Sequence, residues 1–274
     1  MKISGDKSQS DRGFPWPVFF SEVIGTALLV GIGLSIVIFM FGAGTPMAAL
    51  IPSEPLRRLI TGFLFGATGA SIALSPVGKR SGAHINPIVT MAFLLMGKLD
   101  LFTTFWYVVA QLLGAILGAL PLLAWGAMGR SIDFGATWPG EGYSFGTALL
   151  GEAITTCIMV TLLCVFLAFR TIRPFTPGLF PPLYAVMVWL EAPISGTSTN
   201  PARSLGPSVI SGQWSGWWIY WVGPILGSLA ACLLCSYLAK RITVAKLYYF
   251  DSDQDRLFRR MSAARSKAQV IPGP

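Results

Sequence analysis

Two stretches of the chain set an Asn-Pro pair between a polar, glycine-containing run and a short apolar segment. They are Ser81-Gly82-Ala83-His84-Ile85-Asn86-Pro87-Ile88 and Gly196-Thr197-Ser198-Thr199-Asn200-Pro201-Ala202-Arg203. Asparagine caps a helix by accepting hydrogen bonds from its first free N–H groups, and proline suits the first turn, where its missing N–H would have no partner. Each pair therefore predicts a helix N-terminus, and only about ten apolar residues follow, too few to cross a bilayer. A helix N-terminus carries roughly half a positive charge. Two of them meeting across a narrow passage would repel a cation and orient a dipolar solute. Asn86 and Asn200 can cap their helices and still offer side-chain N–H donors to a solute oxygen. Arg203 follows the second pair directly, and a charge at membrane depth is costly unless it faces a cavity.

Other polar residues read as supports for these two turns. Glu22 and Glu152 are expected to accept hydrogen bonds from the loop backbones that feed the short helices; a proton relay is the alternative. His84, two residues before Asn86, is expected to brace its loop, with pH sensing as the alternative. Gln111, in the third apolar run, is placed with them. Cys157, Cys164, Cys232 and Cys235 all fall inside apolar runs, and His84 is the only histidine. Buried thiols of this kind behave as small apolar groups, so no disulfide framework, metal site or redox pair is expected. With no phosphate-binding loop and no nucleophile–base pair, the chain reads as a non-enzyme without a cofactor.

The elements that must carry these residues are membrane spans. Of 274 residues, 53% are hydrophobic and 12% charged, and the mean hydropathy is +0.64. Six apolar runs qualify as spans, at 18–41, 59–74, 101–125, 146–168, 177–190 and 217–239, the second and fifth needing extension into their flanks. A polar arm at 1–14 precedes a channel domain at 15–240, and a charged tail occupies 241–274. The arm is too acidic for a typical signal n-region, so an uncleaved first span is expected. With both termini on one side, sixteen of the twenty basic residues lie with the termini, leaving Arg57, Arg58, Arg130 and Arg203 opposite. The positive-inside rule then puts the termini in the cytoplasm. The net charge of +8 is read as topology, not as nucleic-acid binding. The halves, about 15–125 and 144–240, repeat one plan: a span with a glutamate, a second span, an Asn-Pro turn with a short helix, and a third span. Three spans per half is odd, so the second half enters the membrane inverted, as in transporters whose sites sit at the midplane. The fold class is all-α, six tilted spans and two re-entrant half-helices in an inverted 3+3 repeat.

On these motifs, together with Gly25-Thr26, Ala110, Gly114 and Tyr220-Trp221-Val222-Gly223-Pro224, the chain resembles the aquaporin (major intrinsic protein) family over about residues 19–237. The resemblance implies a passive channel for water in the plasma or inner membrane, with one pore per subunit and a homotetramer. It implies a midplane built by Asn86, Pro87, Ile88, Asn200, Pro201 and Ala202, and an outer constriction of Phe65, Val188, Thr197 and Arg203. Ile88 stands where the family usually has alanine. Val188 stands where water-selective members usually have histidine, which removes a donor and widens the hole, so some leakage of glycerol or other small neutral solutes is expected. Ser204 stands where glycerol-conducting members have aspartate, which favours the water branch. A glycerol facilitator is the alternative; a secondary transporter would need more ionisable groups along the path than Glu22, Glu152 and Arg203. Glu191, three residues beyond Val188, is expected either to look into the outer vestibule near Arg203 or to be a plain interfacial carboxylate.

Overall fold

The structure, a computed structural model, describes residues 16–169 and 171–238; the arm at 1–14 and the tail at 241–274 lie outside the described residues. Among the described residues, six long helices and two short ones carry the architecture. They are α1 (Trp16–Phe41), α2 (Glu54–Leu74), α3 (Pro87–Leu95), α4 (Leu101–Ala119), α5 (Phe145–Ala168), α6 (Thr176–Ser195), α7 (Pro201–Ser211) and α8 (Ile219–Leu238). Side-chain oxygens set several starts: Ser53, Asp100 and Ser144 accept from the backbone N–H of Leu56, Thr103 and Thr147. Glycines at left-handed φ stop α6 at Gly196 and α7 at Gly212, where a side chain would be strained.

Among the described residues, four helical stretches are long and apolar enough to cross a membrane on their own composition: Trp16–Phe41, Leu101–Arg130, Phe145–Ala168 and Ile219–Ser236. The other two long helices are α2 and α6. The second span starts five residues before the expected 59, and the fifth runs on to Ser195. Their composition is diluted by Glu54, Arg57 and Arg58 in α2 and by Pro181, Pro182 and Pro193 inside α6. Helical turns also form where only loops were expected: Pro76–Ser81 before the first Asn-Pro pair, and Gly126–Arg130 and Asp133–Gly135 between α4 and α5. The first of these is capped by Ser75, which accepts from Gly78 N.

Helix pairs close on glycine, because a bilayer gives no hydrophobic drive between spans and close backbone approach supplies the packing. A Cβ on Gly114 or Gly118 of α4 would lie 2.3 Å from the carbonyl of Val23 or Ala27 on α1. The inverted counterpart is α8 on α5, where a Cβ on Gly227 would lie 2.2 Å from Ala153 O. Between the halves, Gly62 and Gly66 of α2 abut the backbone of Tyr184 and Phe180 on α6. Polarity is arranged inside out. Phe20, Ile24, Leu28 and Ile32 form an exposed stripe on α1, while Glu22, Thr26, His84, Asn86, Gln111 and Glu152 are buried.

Candidate functional site

The two Asn-Pro turns meet. Asn86 Oδ1 accepts from Ile88 N at 2.9 Å, and Asn200 Oδ1 accepts from Ala202 N at 3.0 Å and Arg203 N at 3.3 Å. Each side-chain amide then reaches across. Asn86 Nδ2 donates to Thr199 O, and Asn200 Nδ2 to Ile85 O, both at 2.9 Å. The ties are reciprocal: each asparagine holds the carbonyl of the residue preceding the other. An amide nitrogen has two hydrogens, so one N–H on each asparagine remains beyond the cross-tie. The arrangement sets the N-termini of α3 and α7 against each other, with Pro87 and Pro201 opening the helices and Ile88 and Ala202 buried beside them.

Both feeding loops are strained in the same way. Ala83 and Ile85 in one, and Thr197 and Thr199 in the other, have φ between 41° and 51°, a region unfavourable for β-branched residues. A buried carboxylate holds each loop. Glu22 accepts from His84 N at 3.0 Å and Ile85 N at 2.7 Å. Glu152 accepts from Ser198 N at 2.6 Å and Thr199 N at 2.8 Å. Around Glu22, Gln111 Nε2 donates to its Oε2 at 2.7 Å and to Thr90 Oγ1 at 2.9 Å. His84 sits between the rings of Phe93 and Tyr107, with Nδ1 3.1 Å from Thr90 Oγ1.

Beyond the second turn lies a cavity of about 200 Å³ whose walls include Phe65, Val188, Thr197 and Arg203 together. Four helical or loop segments supply these residues: α2, α6, the loop before α7, and α7. Arg203 Nη1 donates to Gly135 O at 2.8 Å. This carbonyl belongs to the connection between α4 and α5. The same connection sends Thr137 Oγ1 to within 2.7 Å of Ser204 Oγ. A smaller cavity of about 40 Å³, lined by His84, Ile85, Asn86, Asn200 and Tyr184 among others, lies at the level of the cross-ties. Tyr184 was not singled out from the sequence, although it lies one helical turn before Val188, a spacing that shares a helix face.

The vestibule expectation for Glu191 is overturned. The carboxylate is buried, bonds to Ser195 Oγ and packs over Gly151 of α5. The cavity wall on α6 is formed by Tyr184, Val188 and Ala192 instead. A three-residue step falls about 60° short of a full helical turn, and that offset swings Glu191 away from the cavity and Arg203 toward α5. Nor is it a plain interfacial carboxylate.

The comparisons with known proteins agree with this geometry. The sequence profile described as "Major intrinsic protein" matches residues 10–235. Aquaporin A of Dictyostelium discoideum is 35% identical over 223 residues, covering 79% of this chain and 76% of that protein. A probable aquaporin PIP2-7 of Oryza sativa subsp. japonica is 37% identical over 238 residues, 82% of this chain and 80% of that one. The lens fiber major intrinsic protein of Lithobates pipiens is 33% identical over 232 residues, 81% of each. In fold, the chain is similar to the X-ray structure of the aquaglyceroporin from Plasmodium falciparum, with a TM-score of 0.66 at 21% identity, covering 80% of this chain and 95% of that one. On its sequence profile, its relatives and its helical plan, the chain belongs to the major intrinsic protein family.

Proposed function

We propose that water crosses this protein passively, in single file, past the paired half-helix termini, while ions and protons are turned back. The observation that carries the reading is the reciprocal tie between Asn86 and Asn200. It holds two positive helix ends at one level of the molecule, where a water molecule would meet amide donors on both sides and reorient as it passes. A cation meets two like partial charges there and the Arg203 guanidinium before it. Arg203 has several N–H donors besides the one given to Gly135 O, and these are available to a water oxygen.

In this reading Phe65, Val188, Thr197 and Arg203 surround the outer approach. Val188 presents only methyl groups, so small neutral solutes such as glycerol meet no polar competitor for Arg203 there. A homotetramer in a cell membrane, with both termini in the cytoplasm, completes the proposal; the family's habit and the distribution of basic residues support it. The test is osmotic shrinkage of proteoliposomes by stopped flow, paired with an internal pH dye. Fast shrinkage of low activation energy with a preserved pH gradient is expected. Shrinkage no faster than in empty vesicles, or a gradient lost in proportion to protein, would overturn the reading.

A further inference from the structure

The two cavities share only two residues, Phe65 and Tyr184. These two rings therefore line both the outer cavity and the one at the level of the asparagines. They come from facing helices, α2 and α6, and lie 5.9 Å apart centre to centre at an interplanar angle of 27°. Both are held. The α2–α6 seam on which they stand is closed by Gly62 and Gly66, where a Cβ would come within 2.2 Å of Tyr184 O and 2.5 Å of Phe180 O. The Tyr184 ring also packs on Phe180, 6.3 Å between centres. Its hydroxyl lies 3.0 Å from Thr199 Oγ1. It also lies 3.5 Å from Met159 Sδ, so two neighbours hold the ring at its tip.

We infer that Tyr184 and Phe65 form a second, size-limiting neck one helical turn inside the Arg203–Thr197–Val188 level, and that this neck discriminates water from polyol- and urea-sized neutral solutes. The inference rests on the proposed water path. It places discrimination away from Val188, whose side chain is too small to exclude such solutes and offers no hydrogen bond. At the neck a stacked aromatic pair, which resists compression, is combined with one phenolic oxygen. A water molecule can donate to that oxygen while keeping its other bonds along the file. A wider solute has to displace this ring pair from the path, which the glycine seam and the contact with Thr199 oppose. The Tyr184–Thr199 bond also ties the neck to the strained loop that presents Asn200, so size selection and the midplane share one mechanical frame.

The test compares water, glycerol and urea permeabilities of the full chain and of Tyr184→Ala, Tyr184→Phe and Val188→Ala in proteoliposomes. Tyr184→Ala is expected to raise the glycerol-to-water and urea-to-water ratios by about tenfold or more, because pore width and lining donors set neutral-solute selectivity. Tyr184→Phe, which keeps the ring, is expected to stay within about twofold of the parent, and Val188→Ala to change the ratios less than Tyr184→Ala. If Tyr184→Ala does not assemble, Tyr184→Cys supplies the second readout. A small mercurial should then block water flux well beyond any block of the parent. Unchanged ratios in Tyr184→Ala, or an unblocked Tyr184→Cys, would overturn the neck while leaving the water path standing. A parent protein that does not conduct water would instead overturn the path itself.

Discussion

Replacing Glu152 by alanine is expected to unfasten the second Asn-Pro turn. The carboxylate takes hydrogen bonds from Ser198 N, Thr199 N and Ser195 Oγ, at 2.6, 2.8 and 2.7 Å. Glu152 and the loop residues around it are buried, so no bulk water replaces the lost acceptor. A buried donor left without a partner costs about 1–3 kcal/mol, so the two backbone N–H groups alone amount to about 2–6 kcal/mol. A second quantity acts in the same direction. Thr197 and Thr199 both sit at a φ of 51°, a conformation that costs of order 1–3 kcal/mol per residue and persists only while its surroundings enforce it. Without the carboxylate the loop gains by relaxing. As it relaxes it moves Thr199 O away from Asn86 and disturbs the level of Arg203. Glutamine, which keeps one acceptor oxygen but turns an NH2 toward a backbone donor, should lose about half as much. The assay is thermal unfolding of purified protein in detergent followed by size exclusion, alongside water and proton flux in vesicles. The expected order of stability is parent, Glu152→Gln, Glu152→Ala, with slowed water flux or proton leak in the last. A Glu152→Ala protein that melts and conducts like its parent would refute the claim that this carboxylate holds the turn.

Four further outcomes follow from the same geometry. Val188→His should add bulk and a donor to the outer cavity, lowering any glycerol or urea flux more than water flux in the stopped-flow assay; equal losses would mean that Val188 does not face the path. Thr197→Cys should make water flux sensitive to a mercurial, because Thr197 lines the outer cavity, whereas the four native cysteines lie within α5 and α8 and should leave the parent nearly insensitive. Gly66→Leu should separate α2 from α6, because even a Cβ there meets Phe180 O at 2.5 Å, costing about 1–3 kcal/mol or more and loosening selectivity, read as lower thermal stability with higher urea flux. Glu191→Gln should leave ion exclusion and water flux unchanged. Ser195 Oγ has one hydrogen and lies within bonding reach of both Glu152 and Glu191, so a permanent N–H donor at 191 satisfies the same count; altered cation exclusion in vesicles would contradict the placement of Glu191 behind the loop.

The parts of this site that were legible beforehand are those whose chemistry is local. Asn86-Pro87 and Asn200-Pro201 announce helix starts through capping alone, and the structure caps both helices with those asparagines. Glu22 and Glu152 stood out because a lone carboxylate in an apolar run needs donors, although the loop N–H groups that supply them lie 62 and 46 residues away. What was illegible depends on angles between elements. Tyr184 shares a helix face with Val188, but its role follows from how α6 meets α2, and a glycine seam fixes that only once both helices exist. Glu191 was misplaced by treating a three-residue step as the same face. The Gly135 carbonyl that holds Arg203 could not be found from residue types, because any residue has a carbonyl and only the backbone path of that connection brings this one close.

The reciprocal asparagine ties also bear on how the protein is made. Asn86 reaches a carbonyl 113 residues further along the chain, and Asn200 reaches back 115. At a synthesis rate of about 5–20 residues per second, the first turn exists for roughly 6–23 s before its partner leaves the ribosome. During that interval the Asn86 Nδ2 donor and the Ile85 carbonyl lack the partners of the cross-tie, and hydrocarbon tolerates such groups poorly. The first half-helix must therefore wait near the aqueous surface or in a hydrated insertion site, and it seats only when the second half arrives. Closure of the ties therefore follows synthesis of the second Asn-Pro turn. A chain truncated after its first three long helices would lack half of every tie. Two halves supplied as separate polypeptides carry the full complement and should find each other in the membrane.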